Sequence, residues 1–202
     1  MVQSGPQSFR TLLGIPDSTA SPTDSALIII DAQNEYKSGK LKVTNAEASA
    51  KVIADLLYKY REVDGKIVHV LHKMPGGATV FTPGTELAEQ MQGSDASTQE
   101  NEPTIWKMHP GSFAGTDLDE KLKAWGIKKI VLVGYMAHVC ISTTAREAAQ
   151  LGYEVVLVED AIGDRDIPGL SGVTLNGDEV TRMALVELAD VFGTVVHSRM
   201  VK

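Results

Sequence analysis

The sequence predicts a three-layer α/β (αβα) domain, Rossmann-like, with a doubly wound and mostly parallel six-stranded sheet. Three observations predict it. Apolar runs of strand length recur along the chain, and helical-period segments fall between them. The first run, in Ser25–Asp31, is continuous rather than alternating, as a strand buried on both faces requires. The 202 residues are enough for one ordinary domain, read here over 25–202 behind an N-terminal arm, 1–24.

The elements follow in order. The arm mixes Pro, Ser, Thr and Gly around one helical candidate, Gln7–Leu13, suited to a surface wrap or a subunit contact. Ser25–Asp31 (SALIIID) is the first strand. Asn45–Glu62 carries Val52, Ile53, Leu56, Leu57 and Tyr60 at helical spacing, and Gly65 ends it. Lys66–Leu71 makes a second strand. Pro75–Glu100 reads as loop with one short helix near Glu86–Met91. Thr104–Lys107 is a brief third strand, Asp117–Trp125 a helix stopped by Gly126, and Lys128–Val133 a fourth strand closed by Gly134. Val139–Leu151 is a helix ended by Gly152, Glu154–Glu159 a fifth strand, Gly177–Ala189 the last long helix and Gly193–His197 a sixth strand.

Composition excludes several classes. Hydrophobic residues make up 43% and charged residues 22%, a soluble globular balance. No apolar run approaches the ~18 residues of a membrane span. The net charge of −7 argues against a nucleic-acid partner, which calls for a basic face. The first residues lack the layout of a secretory signal, so a cytoplasmic location is expected. Neither Gly-x-Gly-x-x-Gly after the first strand nor a phosphate loop is present, and no nucleotide cofactor is expected. The single cysteine, Cys140, excludes an intrachain disulfide framework and any multi-cysteine zinc site. That thiol is buried filler, a surface accident or chemistry, and composition does not choose among them.

Topology narrows the choice. Ligands of open α/β sheets bind outside the carboxyl ends of the strands. Asp31 ends the first strand, Lys107 ends the third, and Cys140 follows the fourth at a predicted helix start. A helix N-terminus favours thiolate. Each residue alone has an ordinary explanation: a loop-turn acid, a solvated lysine, a packed cysteine. Together they describe a carboxylate to accept a thiol proton and an ammonium to hold the thiolate.

Three stretches then carry a resemblance: ALIIIDAQNEY, WKMHPGSFAGTDLDEKL and IVLVGYMAHVCISTTAREAAQLGYEVVLVEDA. Over roughly Ser25 to His197 the chain resembles the isochorismatase-like cysteine hydrolases. The resemblance implies a hydrolase with an Asp–Lys–Cys triad falling on Asp31, Lys107 and Cys140. It implies that Asp31 shuttles the proton and that Lys107 lowers the pKa of both partners. It also implies an oxyanion hole from the backbone N–H groups of Met136 and Cys140, with a cis peptide at Tyr135–Met136.

Substrate class follows from departures within that family. Its nicotinamidases use an Asp-x-His metal site, whereas this chain has His69 and His72 in HVLHKMPGG, which a strand would point to opposite faces. No catalytic metal and no other cofactor is therefore expected. The stretch Tyr135-Met-Ala-His-Val is similar to that of isochorismatases, which cleave a vinyl ether and generally place Gly where Cys140 stands. Cysteine there points to acyl transfer. The expected substrate is thus a small amide or carboxamide cleaved through a thioester, the alternative being isochorismate. Gln33, Tyr36, Phe113 and His138 are the expected pocket residues, with Asn34, His72 and Trp106 nearby in sequence. A homo-oligomer, dimer or tetramer, is also expected.

Overall fold

Six strands form one parallel sheet in the computed structural model, which describes residues 5–91, 98–170 and 172–202. They are β1 (Ala26–Ile30), β2 (Lys66–His72), β3 (Thr104–Lys107), β4 (Lys129–Tyr135), β5 (Glu154–Gly163) and, beyond a small antiparallel hairpin of β6 (Ile167–Pro168) and β7 (Thr174–Leu175), β8 (Thr194–Val196). Their spatial order is β3-β2-β1-β4-β5-β8, and every pairing is parallel. The chain leaves β1 towards one edge and returns to β4 on the other side of β1. The carboxyl ends of β1 and β4 thus flank the topological switch point, where such sheets bind ligands.

Both sheet faces are covered. Leu27 and Ile29 point into one core with Ile53, Leu56 and Leu57 of α3 (Ala46–Arg61). Ala26, Ile28 and Ile30 point into the other, with Leu118 and Leu122 of α4 (Leu118–Ala124), Ala145 and Ala148 of α5 (Ser142–Gln150) and Leu188 of α6 (Gly177–Val191). This alternation is why ALIII is apolar throughout: each successive side chain meets a different core. The same chain order leaves α1 (Phe9–Leu12) and α2 (Glu35–Ser38) as single turns.

The arm is anchored. Phe9 donates its N–H to Asp190 Oδ1 at 2.8 Å, and buried Arg10 donates to Pro16 O and Thr194 Oγ1 at 2.7 and 3.1 Å. Ala20 pairs with Val201 in a parallel bridge. Part of the expected loop, residues 92–97, lies outside the described residues, as do residues 1–4 of the arm.

Two differences from the expected elements, and one close approach, shape the rim. The helix expected from Val139 begins instead with a π-helical turn, Ala137–Ile141, before α5. Cys140 therefore sits inside that wide turn, with its side chain packed away from water. The strand expected to end at Glu159 extends to Gly163, because β5 takes an excursion against β4. Leu132 pairs with Leu157 and Gly134 with Ile162, so five residues of β5 advance against two of β4. That excursion delivers Asp164 to the rim. Between β1 and β4, Gly134 pairs with Ile30 at φ +114°, and any Cβ there would run into the Ile30 carbonyl oxygen. Only glycine fits.

Candidate active site

Asp31, Lys107 and Cys140 meet at the switch point. Lys107 Nζ lies 2.8 Å from Asp31 Oδ2 and 3.3 Å from Cys140 Sγ. All three are sealed: their residues are 0%, 1% and 4% exposed. The ammonium also donates towards His72 Nδ1 at 3.1 Å and the His109 carbonyl oxygen at 3.2 Å. Four acceptors thus share the three hydrogens of one lysine. Asp31 itself adopts φ +53°, an uncommon conformation for a residue with a side chain. Neither of its carboxylate oxygens completes a well-aligned hydrogen bond among the described residues. Charge, more than aligned donors, holds it.

The electrostatics follow from burial. Desolvation raises the Asp31 pKa, and the charge of Lys107 offsets this only in part. Burial pushes the Cys140 thiol up as well, Asp31 adds to the shift and Lys107 opposes it. For Lys107 burial works against the charged form, but Asp31 and Cys140 outweigh it and its pKa is raised. This corrects the expectation of lowered pKa values for acid and thiol. Lys107 does pull in the predicted direction, but loss of water wins, and the resting cysteine is a thiol.

Neighbouring elements fix these positions. The segment after β3 is pinned to α5: Ser112 and Thr144, both buried, share a hydrogen bond of 2.8 Å, and Phe113 N–H donates to Glu147 Oε2 at 3.2 Å. The π turn is held from the other side by Asp164, whose Oδ2 accepts from His138 N–H at 2.9 Å and pairs with His138 Nδ1 at 2.6 Å. The Tyr135–Met136 peptide is cis, as the resemblance implies.

The expected pocket residues divide. Tyr36 is buried beside the cluster, its ring 5.4 Å from Phe81 and 5.5 Å from Tyr135. His72 touches Lys107, and Phe81 lies 5.1 Å from its ring. His138 stands at the rim, partly exposed and paired with Asp164. Gln33 does something else: its amide donates to the carbonyls of His72 and Ala88 and accepts from His72 N–H, so it is a strut between β2 and the following loop. Asn34 ties the same loop through Glu86 O. Phe113 stacks on Tyr153 at 5.9 Å against the second core. Trp106 is 43% exposed on the edge strand. His69 bonds Glu102 at 2.8 Å, away from His72. Among the described residues, no three His, Cys, Asp or Glu side chains gather as a metal site.

Sequence reasoning missed Asp164, Phe81 and the His109 carbonyl. Asp164 had a signal, an acid closing the GYEVVLVEDAIGD run, but the excursion of β5 hid its distance along the strand. Phe81 had none, because it lies in a loop and reaches the site through a left-handed backbone, φ +52°.

A parallel sheet with this strand order has the three-layer α/β architecture, and its switch point carries a sealed acid–lysine–thiol cluster. The model of the isochorismatase domain matches residues 25–200, and the chain belongs to that family of hydrolases. It is 56% identical over 192 residues to the secreted isochorismatase effector Isc1 of Verticillium dahliae, covering 95% of this chain and 97% of that one. Streptothricin hydrolase of Streptomyces noursei is 29% identical over 205 residues, covering 98% of this chain and 79% of its own. A crystal structure of an isochorismatase from Pseudomonas putida superposes with a TM-score of 0.92 at 31% identity, over 98% of this chain and all of that one.

Proposed function

We propose that this hydrolase cleaves isochorismate to pyruvate and 2,3-dihydroxy-2,3-dihydrobenzoate, with Asp31 as the proton donor. The observation that carries the reading is the sealed Asp31 carboxyl, which stands just past the carboxyl end of β1 and whose pKa burial raises above that of an ordinary aspartate. In this chemistry Asp31 gives a proton to the methylene carbon of the enolpyruvyl ether. Water adds to the resulting oxocarbenium carbon and returns a proton to Asp31. The hemiketal then collapses, its ring–oxygen group taking a proton as pyruvate departs. Lys107 keeps Asp31 in place and balances the charge left on it. The 56% identity to a protein named as an isochorismatase supports the same substrate and moves it ahead of the amide favoured from the sequence.

A second reading rests on Cys140 Sγ, 3.3 Å from Lys107 Nζ. In it Asp31 takes the thiol proton and the thiolate attacks an amide carbonyl. The N–H groups of Met136 and Cys140 stabilise the oxyanion, and water resolves the thioester. Cys140→Ala separates the two. Isochorismate turnover that survives within about tenfold supports the first, whereas loss by about 10³-fold with parallel loss on a small-amide panel supports the second.

Two further expectations stand as proposals. Self-association as a dimer or tetramer is tested by light scattering. Among the described residues no helix is long and apolar enough to cross a membrane. The V. dahliae relative is named as secreted, so immunoblots of culture medium against cell lysate decide between export and the expected cytoplasmic location.

A further inference from the structure

The site holds two hydrogen-bond donors that the reaction above does not use. Tyr36 is 2% exposed, yet among the described residues nothing bonds to its hydroxyl, and that hydroxyl is not sealed from the crevice. His72 accepts from Lys107 at Nδ1, and an ammonium can only donate, so its ring hydrogen sits on Nε2. Nothing among the described residues bonds to Nε2 either. Both rings rest on Phe81, at 5.4 Å for Tyr36 and 5.1 Å for His72. We propose that Tyr36 Oη and His72 Nε2 together hold a carboxylate of the substrate, and that the ligand class is a small ring-bearing carboxylic acid.

The chemistry of the site selects that group. Both donors are neutral and stay protonated. Burial and the neighbouring Asp31, Cys140 and Asp164 keep the proton on Tyr36. Burial first, then Lys107 and His109, bring the His72 pKa down to about 4, so the ring is uncharged near neutrality. Lys107, the cation of the cluster, has all its hydrogens taken up by protein acceptors. An anionic substrate must therefore find its donors elsewhere, and two unpartnered donors suit the two oxygens of a carboxylate. Phe81, in ring contact with both Tyr36 and His72, supplies an apolar surface beside the two donors.

This inference rests on the isochorismate reading for its substrate, and the test keeps the two apart. Titration calorimetry compares 2,3-dihydroxybenzoate with catechol, the same ring without the carboxylate. Wild type should favour the acid by about tenfold or more. Tyr36→Phe keeps every ring contact and should lose about tenfold of the affinity for the acid, with catechol unchanged. His72→Asn keeps an acceptor for Lys107, removes the far donor and should behave alike. In turnover, Tyr36→Phe should raise KM for isochorismate while kcat holds within about threefold. Equal loss for both ligands, no loss, or no preference in wild type overturns the donor pair. Binding that follows the expected pattern in an enzyme unable to turn over isochorismate upholds the pair and overturns the substrate reading.

Discussion

Glu102, just ahead of β3, and Asp31, just past β1, are both buried carboxylates touching a cation, yet their acidities move in opposite directions. Glu102 accepts from Arg61 Nε and Nη2 at 2.6 and 2.9 Å, from His69 Nε2 at 2.8 Å and from Gln99 N–H at 3.0 Å. Burial acts to raise its pKa, but those donors prevail and hold it down at about 2. Asp31 has one cation at 2.8 Å and no aligned donor, so burial prevails. Proximity of opposite charge is common to both. What differs is the number of donors aimed at the oxygens, and that number decides whether burial or pairing sets the acidity of a buried carboxylate.

The widest separation should come from removing each acid in turn. Asp31→Asn should cut turnover by about 10²- to 10⁴-fold while the protein melts near the wild-type temperature. Activity within threefold of wild type would remove Asp31 from the chemistry under either reading. Glu102→Gln should do the reverse, lowering stability by about 1–3 kcal/mol in urea titration because Arg61 and His69 lose an anionic partner. Its kcat should stay close to wild type; a collapse of kcat with unchanged stability would break the contrast.

A smaller effect should appear with pH. His69 has a lowered pKa in the fold because burial outweighs the help of Glu102, and that of His72 is brought down to about 4. Both are neutral in the fold, and on acidification the unfolded chain takes up their protons first, starting near 6.5. Stability is therefore full above that pH and declines as pH falls through the range down to about 4. Glu102 adds a loss that begins below the ordinary carboxylate value of 4.5 and runs down to about 2. Urea midpoints at pH 7.5, 5.5 and 4.5 should fall in that order. A flat series would mean that these histidines are not held neutral by burial.

Much of this was legible in the chain. The strands announced themselves because a parallel sheet buried on both faces needs unbroken apolar runs, and SALIIID and KKIVLV are such runs. Asp31, Lys107 and Cys140 were legible because each follows a strand, and topology sends such ends to one rim. The resting state of the cysteine was not. Its acidity depends on how far water is excluded and on the charge of Asp31 beside it, neither of which a helix-start argument contains. The sorting of Gln33 from Tyr36 was equally hidden, since DAQNEY does not say which polar side chain will be consumed by backbone. Asp164 and Phe81 depend on an irregular strand and a left-handed loop residue, both made by tertiary packing.

The four acceptors around Lys107 have one more consequence. In the amide reading a proton would pass from the thiol to Asp31; the acid would lose its charge and the sulfur gain one, while the ammonium kept its own. The sum over the cluster is unchanged, and the ammonium needs only to lean from one partner towards another across 2.8 and 3.3 Å. No counter-ion has to enter or leave a chamber closed to water. The net charge of the cluster that an approaching anion meets would be the same before and after the transfer, and only its position would shift.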